Sequence, residues 1–341
     1  MGSMNALKRH YCRLFDQAYS PDGKFLVVAD GYGRLTTFDL DDCLSNSYTD
    51  TRPRLPAFHL THKNHGTPRE SKLYALASND NHLICGDSHG DVFGYSWQDL
   101  SEQGTNSKPS FRYVATSCVE SVPGPYEVNA LAVSDDGERL ISGGAGDNAV
   151  KVWSLENGRL IHSFTGHSDY IHDVALRSEH EMASASEDGT VRLWDTRVNG
   201  CVHTLKPADN QDCARNALGS WLGCVAVDGE WLVCGGGPAL AIWHLSSMSM
   251  AQVLSTGADV EHHAVELCDN KILAGGSQPR LFQWTYRGES ITDVGCSSNI
   301  IYDIAANTNG RNHITTCCGS SSKVDVFINL GYKSFSLETM P

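Results

Sequence analysis

Charged side chains and long apolar runs are both scarce in this chain of 341 residues. Charged residues make up 19% of the sequence, whereas soluble domains average roughly 25%. No apolar run approaches the roughly 18 residues that a membrane-spanning helix needs, and the N-terminus lacks the apolar core of a signal peptide. Glycine is abundant, at 32 residues. The composition therefore predicts a turn-rich, all-β protein with no membrane contact.

Cysteine is present, but not in the patterns of a metal site or a disulfide framework. The 12 cysteines are scattered and form no C-x-x-C pair, which is the spacing that zinc sites commonly use. His59, His62 and His65 recur every third residue, but we predict an extended segment there, in which this spacing does not bring the rings together. We expect reduced thiols in a nuclear or cytosolic protein, and no metal site.

Motifs for cofactors and for nucleic acid are also missing. The chain has no G-x-x-x-x-G-K, no strand-G-x-G-x-x-G-helix pattern and no H-E-x-x-H, the patterns that cradle phosphates or hold a catalytic zinc ion. The net charge of −14 predicts a surface that repels a phosphate backbone. We expect no cofactor, no enzymatic activity and no direct binding to nucleic acid.

Residues 166–197 carry the clearest pattern of the chain, GHSDYIHDVALRSEHEMASASEDGTVRLWDTR. A Gly-His pair opens this stretch, the pair Trp194-Asp195 closes it, and three short apolar runs lie between them. Asp188-Gly189 separates the last two runs, and such a pair is the strongest local signal for a tight β-hairpin. The stretch resembles a WD repeat, which forms one four-stranded blade of a β-propeller.

The same stretch contains the residue types of a hydrogen-bonded tetrad at the spacing of the WD-repeat family. Asp188, Ser184 and His167 precede Trp194 by six, ten and twenty-seven positions. The resemblance implies that these four side chains form a chain of hydrogen bonds, because an indole only donates, a carboxylate accepts, and imidazole and hydroxyl do both. A catalytic Ser-His-Asp group is the alternative, but its serine would lie on an exposed turn, whereas Ser184 lies within a predicted strand.

Seven aromatic residues mark the predicted third strands of successive blades: Phe38, Tyr95, Trp153, Trp194, Trp243, Trp284 and Phe327. We therefore predict an all-β, seven-bladed propeller over residues 15–341. Residues 1–14 form an N-terminal segment, in which residues 1–3 look like a cloning remnant and a short helix follows. Polar insertions at 41–56 and 98–110 lengthen blades one and two. Docking elements and disordered segments are equally consistent with their sequences.

Blade three departs from the tetrad pattern, and glycine clusters recur in several blades. Asp147 keeps its offset from Trp153, but Gly143 stands at the serine position and Tyr126 at the histidine position. Glycine clusters end the predicted second strands of five blades, as in GGG at 235–237. We attribute these clusters to crowded neighbouring backbones and to a hairpin that needs positive φ, not to phosphate binding.

Three segments resemble those of the THO complex subunit 6 family: GGGPAL at 235–240 with WHL at 243–245, GHSDYIH at 166–172, and the tail VDVF at 324–327, NLGY at 329–332 and FSL at 335–337. This resemblance covers most of the chain. It implies a nuclear, non-catalytic scaffold subunit of the THO/TREX assembly, which couples transcription and processing to mRNA export. It also implies docking on the coiled-coil subunits 5 and 7 of that complex, through which such a subunit reaches RNA.

Two other functions and several contact residues stay open. The box Trp194-Asp195-Thr196-Arg197 resembles that of propellers that serve as substrate receptors of cullin-RING ubiquitin ligases, where Arg197 would contact the adaptor; the same arginine often pairs locally. A generic scaffold is the third reading. Tyr170, His172 and Glu187 lie in predicted loops that share one propeller face and are candidate partner contacts. How the ring closes is also open, because blade seven has a fourth strand of its own.

Overall fold

Seven four-stranded antiparallel sheets follow one another along the chain, each with its strands in sequence order. A computed structural model describes residues 12–45, 54–61, 71–114, 126–198, 200–257, 259–308 and 313–340. The first strand of each sheet packs against the first strand of the next, and β25 packs against β1. The sheets are therefore the blades of a closed seven-bladed propeller, as predicted, and the first strands surround its central channel.

The blades have the following strands. Blade one has β1 (Leu14–Tyr19), β2 (Phe25–Asp30), β3 (Arg34–Asp39) and β4 (Phe58–Thr61). Blade two has β5 (Leu73–Ser78), β6 (His82–Asp87), β7 (Asp91–Ser96) and β8 (Phe111–Val114). Blade three has β9 (Glu127–Val133), β10 (Arg139–Ala145), β11 (Val150–Ser154) and β12 (Leu160–Phe164). Blade four has β13 (Ile171–Leu176), β14 (Glu181–Ser186), β15 (Val191–Asp195) and β16 (Gly200–Leu205).

The remaining three blades repeat this arrangement. Blade five has β17 (Leu222–Asp228), β18 (Trp231–Gly236), β19 (Leu240–His244) and β20 (Ser249–Leu254). Blade six has β21 (His262–Cys268), β22 (Lys271–Gly276), β23 (Arg280–Thr285) and β24 (Ser290–Gly295). Blade seven has β25 (Ile301–Asn307), β26 (Ile314–Gly319), β27 (Lys323–Phe327) and β28 (Phe335–Glu338).

Hydrophobic cores lie between neighbouring sheets. The second strands are buried almost throughout, as in FLVVAD of β2, because each has a blade on both sides. The seven predicted marker residues all lie on third strands and are at most 9% exposed. Trp194, for example, packs with Phe164 and Ile141 of blade three. Such rings plug the wedge between adjacent blades, and removing one typically costs about 3 to 5 kcal/mol.

Both predicted polar insertions begin with a helix that the sequence pattern did not reveal. Helix α1 spans Leu40–Ser45 and helix α2 spans Trp97–Gln103, followed by a 3₁₀ turn at Gly104–Asn106. Each helix follows a third strand whose last residue accepts amide hydrogens of its first turn, Asp39 for α1 and Ser96 for α2. Neither helix, nor any other in the described ranges, is long and apolar enough to cross a bilayer.

The N-terminal segment ends one residue earlier than predicted, because β1 begins at Leu14. Cys12 and Arg13 are not helical, and the rest of the predicted short helix lies outside the described residues. Cys12 and Leu14 are buried in a core that also holds Val324 and Leu337 of blade seven. The chain just before β1 therefore contributes to the joint between the first and last blades.

Among the described residues, the ring closes by packing, side-chain hydrogen bonds and one backbone bridge, and no strand is exchanged between blades one and seven. Tyr19 and Thr316 join their hydroxyl oxygens at 2.7 Å, and Gln17 Nε2 donates to the Thr316 carbonyl at 3.1 Å. Arg54 pairs with Leu337 in a parallel bridge and stacks on Phe335, with its guanidinium carbon 3.5 Å from the ring centroid. These contacts show how the ring closes, which the sequence had left open.

Candidate functional site

The four residues of the predicted tetrad form one chain of hydrogen bonds in blade four. Trp194 Nε1 donates to Ser184 Oγ at 2.8 Å. The Ser184 hydroxyl lies 2.7 Å from His167 Nε2, and His167 Nδ1 lies 2.8 Å from the Asp188 carboxylate. Because the indole only donates and the carboxylate only accepts, the protons run in one direction from Trp194 to Asp188. This direction makes His167 a neutral imidazole with its proton on Nδ1.

The electrostatics of the tetrad favour the same protonation state. Burial lowers the pKa of His167, although Asp188 partly opposes this shift. Burial alone would raise the pKa of Asp188, but hydrogen bonds from Thr190 and His167 outweigh it and hold that pKa below its ordinary value. Ser184 is fully buried, so it cannot act as a nucleophile toward a substrate. The group can only brace the blade.

Blade three contains half of such a tetrad, which corrects one prediction. Trp153 Nε1 donates to Ser142 Oγ at 3.0 Å, so Ser142, and not Gly143, occupies the serine position. The hairpin register explains the error. Trp153 pairs with Leu140, and its serine partner lies two positions after Leu140, at Ser142. Trp194 pairs with Met182, and its serine partner likewise lies two positions after Met182, at Ser184. One extra residue in the turn of blade three shifts every offset that is counted from its tryptophan.

The glycine clusters lie where the second strands meet the start of the first strands. A Cβ atom built on Gly144 or Gly276 would lie 1.8 Å from the carbonyl oxygen of Glu127 or Glu261, and one on Gly319 would lie 1.9 Å from that of Ile300. Backbone crowding, as predicted, therefore requires glycine here. The predicted positive φ is wrong, because none of these three residues adopts it.

Arg197 of the Trp-Asp-x-Arg box is exposed but paired with two carboxylates. Its Nε and Nη2 donate to Asp195 at 2.9 and 2.7 Å, and Nη2 also donates to Glu181 at 2.8 Å. Hydrogen bonds from Arg197 lower the pKa of Asp195 to about 2. The box thus makes the local pairing that is common in WD repeats, at the edge of blade four.

The other candidate contacts lie together at the opposite end of the same strands. The Glu187 amide donates to the Tyr170 carbonyl at 2.8 Å, and His172 Nε2 lies 3.3 Å from the Glu187 carboxylate. Tyr170 and His172 are half-buried and Glu187 is exposed. His172 also belongs to a feature that the sequence did not reveal, the mouth of the central channel.

Every first strand carries a β-bulge at the same place, and each bulge leaves one residue unpaired. A bulge turns the extra side chain away from the regular alternation. The seven unpaired residues all line one central cavity of about 400 Å³: Phe15, Tyr74, Asn129, His172, Gly223, His263 and Tyr302. We call these residues, together with Trp221, the channel mouth.

Aromatic rings follow one another around the channel mouth. Phe15 contacts Tyr74 and Tyr302 with centroid distances of 5.1 and 5.7 Å. Tyr302 continues to His263 at 5.8 Å. In blade five, where the bulged residue is a glycine, Trp221 takes the place of its side chain and lies 5.5 Å from His263 and 6.4 Å from His172. Six rings thus form an arc, and blade three, with Asn129, fills the gap.

Four carboxylates lie below this arc and line the same cavity: Asp16, Asp173, Glu266 and Asp303. Burial raises the pKa of all four, and the charge of Asp303 adds to the effect on each of the other three. The pKa of Asp173 rises to about 7 and that of Glu266 to about 8. The channel therefore holds protons that ordinary carboxylates would release at neutral pH.

Glu266 stands out from the register of the first strands. Glu266 lies three positions after the bulged residue His263. The residue three positions after the bulged residue is alanine in all six other blades: Ala18, Ala77, Ala132, Ala175, Ala226 and Ala305. Only blade six places a charged side chain at this level of the channel. The sequence contains this signal, but it becomes visible only when the seven strands are aligned by their bulges.

A second Ser-His-Asp grouping occurs in blade two, where residues 86–90 also match the G-x-S-x-G pattern of hydrolases. Ser71 Oγ donates to Asp87 at 2.5 Å, and His89 Nδ1 lies 3.2 Å from the same hydroxyl. Ser71 is only 2% exposed and lies outside the pattern, whose own serine is Ser88. The pattern joins two strands, whereas a nucleophile elbow leads from a strand into a helix. The arrangement ties a hairpin together.

One group of potential metal ligands occurs among the described residues: Cys296, Cys317 and Asp325. The two sulfur atoms lie 3.6 Å apart. However, the Asp325 carboxylate already accepts hydrogen bonds from Ser297 and Ser336, so its oxygens are directed to the blade. Of the three histidines considered above, His59 contacts Thr36, and His62 and His65 lie outside the described residues.

Comparison with known proteins agrees with the geometry. The family described as WD domain, G-beta repeat matches residues 116–154 and 158–195. The WD40 β-propeller domain of Doa1 superposes with a TM-score of 0.69 at 15% identity and covers 93% of both chains. The fold is therefore that of a WD-repeat β-propeller.

Relatives along the whole chain narrow the class. The chain is 36% identical to THO complex subunit 6 of Homo sapiens, over 97% of this chain and 94% of that protein. It is 32% identical to THO complex subunit 6 homolog of Danio rerio, over 98% and 99% of the two chains. The Drosophila melanogaster THO complex subunit 6 is 28% identical over 97% of this chain. This chain belongs to the THO complex subunit 6 family.

Proposed function

We propose that this protein is a non-catalytic, nuclear scaffold subunit of a THO complex that supports assembly of the complex and the coupling of transcription and processing to mRNA export. The observation that carries the proposal is the similarity to THO complex subunit 6 along almost the entire chain. The net charge of −14 supports a subunit that reaches RNA through its partners. We propose the coiled-coil subunits 5 and 7 as those partners.

The face that carries Tyr170, His172 and Glu187 is the docking surface that we propose. It combines a half-buried ring, a titratable ring and an exposed carboxylate beside the channel mouth. Rings of this kind supply contact area at interfaces, where Tyr and Trp are enriched. Arg197 lies at the far end of the blade and provides a matched control.

The test is affinity purification of the tagged protein from nuclear extract, followed by identification of the proteins recovered with it. We expect THO subunits with the wild type and with Arg197→Ala, and fewer with the double variant Tyr170→Ala and Glu187→Arg. Recovery of a ubiquitin-ligase adaptor that Arg197→Ala abolishes would instead support the receptor function. Absence of every THO subunit from the wild-type sample would refute the proposal.

A further inference from the structure

Of the four channel carboxylates, Asp16 and Asp173 are fully used by the fold, Asp303 is used in part through its hydrogen bonds with Gln17 and Ile304, and Glu266 is not used. Asp16 accepts the amides of Gln17 and Leu76, and Asp173 accepts those of Val174 and Val225. Each of these two therefore joins its own blade to the next one. Their role in stability explains why they are present.

Glu266 and Asp303 have oxygen atoms that the fold does not use. Asp303 Oδ2 is buried and has no hydrogen-bond partner in the described part of the chain. Among the described residues Glu266 has neither a hydrogen bond nor an ion pair, and its side chain lines the cavity. Glu266 is half-buried in the cavity wall without a partner in the described ranges, which costs part of its hydration, and alanine serves this register position in the six other blades. Stability alone therefore does not account for Glu266.

The channel mouth suits a cation. The negative faces of aromatic rings attract ammonium and guanidinium groups, and Phe15, Tyr302 and Trp221 belong to a continuous arc of such rings. Ionised carboxylates in a narrow, low-dielectric channel concentrate the field at its entrance, and a cation that enters favours the ionised form of the remaining carboxyl groups by lowering their pKa. A cation that enters would pass the rings first and the carboxylates next.

We propose that the central channel receives one cationic side chain, lysine or arginine, from a segment of a partner protein that lies across the channel mouth. Its charged group would meet Asp303 and Glu266, and its aliphatic stem would contact the rings. His263 at the mouth and Glu266 are three residues apart on one strand, which corresponds to about 10 Å. A lysine or arginine side chain that enters from the mouth can span this distance, because the Glu266 side chain also extends into the cavity.

A bare metal ion fits less well than a side chain. Calcium takes six to eight oxygen ligands, and magnesium keeps a strict octahedron. The channel offers the unused oxygens of only two carboxylates, and its four carboxylates do not form a ligand group of the kind that Cys296, Cys317 and Asp325 form. The rings of the mouth also cannot replace the water shell that such an ion would lose.

This inference goes beyond the proposed function, because it concerns a ligand of the purified propeller and does not depend on membership of a complex. The probes are three peptides, acetyl-Gly-Gly-Xaa-Gly-Gly-amide, in which Xaa is lysine, arginine or norleucine. The reporters are the methyl groups of Ala175 and Ala226, which line the cavity, observed by NMR in protein labelled with ¹³C-methyl alanine. Calcium chloride and magnesium chloride serve as separate probes.

We expect saturable shifts of both methyl signals with the lysine or the arginine peptide and none with norleucine. Glu266→Ala, which restores the residue of the other blades, should weaken binding about tenfold or more, as expected for loss of a charge-assisted contact. Glu289→Ala removes an exposed carboxylate outside the channel and should leave binding unchanged. Glu266→Gln, which keeps the shape of the side chain, should weaken binding as Glu266→Ala does.

Three outcomes would overturn the inference. The first is no shift with either cationic peptide at millimolar concentration. The second is equal binding of the norleucine peptide, which would indicate an apolar site. The third is binding that survives both changes at Glu266, or that calcium or magnesium reproduces and displaces, which would indicate an inorganic cation site. None of these results depends on which proteins are recovered from nuclear extract.

Discussion

Glu266 occupies in blade six the register position that Ala175 occupies in blade four, since the first pairs with Leu273 and the second with Ala183. A methyl group at this level leaves the channel open, whereas the glutamate brings a carboxyl group into it. Burial, followed by the charges of Asp303 and Asp173, raises the pKa of that group to about 8. A single substitution in an otherwise repeated strand thus changes the electrostatics of the whole channel.

The raised pKa predicts a specific dependence of stability on pH. Glu266 ionises near its ordinary value in the unfolded chain and near 8 in the folded protein. Between these values the folded state holds a proton that the unfolded state has lost, so the free energy of unfolding falls as the pH rises through this window. Glu266→Gln should remove this fall and, by pH 8, stabilise the protein by a few kcal/mol.

Urea denaturation at pH 5, 6, 7 and 8 measures this effect. Asp16, Asp173 and Asp303 remain in the variant, so part of the slope persists. Glu289→Gln, at an exposed position, should follow the wild-type curve. Parallel curves for Glu266→Gln and the wild type would show that Glu266 ionises normally in the folded protein.

His262 predicts the opposite dependence on pH. His262 directly precedes the bulged residue of blade six. In the six other blades, the residue directly before the bulged residue is aliphatic: Leu14, Leu73, Val128, Ile171, Leu222 and Ile301. His262 is fully buried, and neither ring nitrogen has a hydrogen-bond partner among the residues that the structure describes. Burial lowers its pKa to about 3. The stability that depends on the neutral ring is therefore complete above pH 6.5 and is lost as the pH falls below it.

We expect His262→Leu to stabilise the protein by about 1 to 3 kcal/mol at pH 7, because it removes unpaired buried nitrogens. The gain should grow by about 2 kcal/mol between pH 6.5 and pH 5. Thermal unfolding at both pH values measures it, with the exposed His203→Leu as the control. A variant that is less stable than the wild type at pH 5 would show that the imidazole has a partner in solution.

The tetrad predicts a graded loss of stability between blades four and three. Ser184→Ala leaves both Trp194 Nε1 and His167 Nε2 buried without a partner, whereas Ser142→Ala leaves only Trp153 Nε1. Each orphaned group costs about 1 to 3 kcal/mol, so we expect roughly twice the loss for Ser184→Ala. Denaturation followed by tryptophan fluorescence measures both. Equal losses would mean that His167 finds another donor.

The blades were predictable because their signals are local. A turn such as Asp188-Gly189, an aromatic residue such as Trp194 and the apolar run between them lie within one hairpin, and the strands of each blade pair only with one another. The offsets within a blade were less secure. Ser142 was missed because one added residue in a turn changes the count from Trp153 without changing the pairing of the strands.

The channel could not be predicted in the same way, because its residues come together only when the ring closes. Phe15 and Tyr302 are in contact across the joint of the first and last blades. A bulge decides which side chain faces the channel, and no local pattern marks its position in a strand. Helices α1 and α2 were missed for another reason, since six or seven polar-rich residues are too few for a periodic signal.

The contacts of Gly276 predict that a single methyl group would disrupt the bulge of blade six. A Cβ atom there would lie 1.8 Å from the carbonyl oxygen of Glu261, and the obstacle is backbone, which cannot rotate away as a side chain can. Gly276→Ala should therefore cost about 3 kcal/mol or more, the range of severe strain. Gly295→Ala is the matched control in the same blade, because nothing lies within 4 Å of its added methyl group.

Thermal unfolding of the two variants measures this difference, and Gly295→Ala should stay within about 0.5 kcal/mol of the wild type. A mild effect of Gly276→Ala would mean that the first strand can retreat from the second at little cost. In that case the bulged residue His263 would no longer be held toward the channel by backbone crowding. The rigidity of the channel mouth therefore depends on glycine at the ends of the second strands.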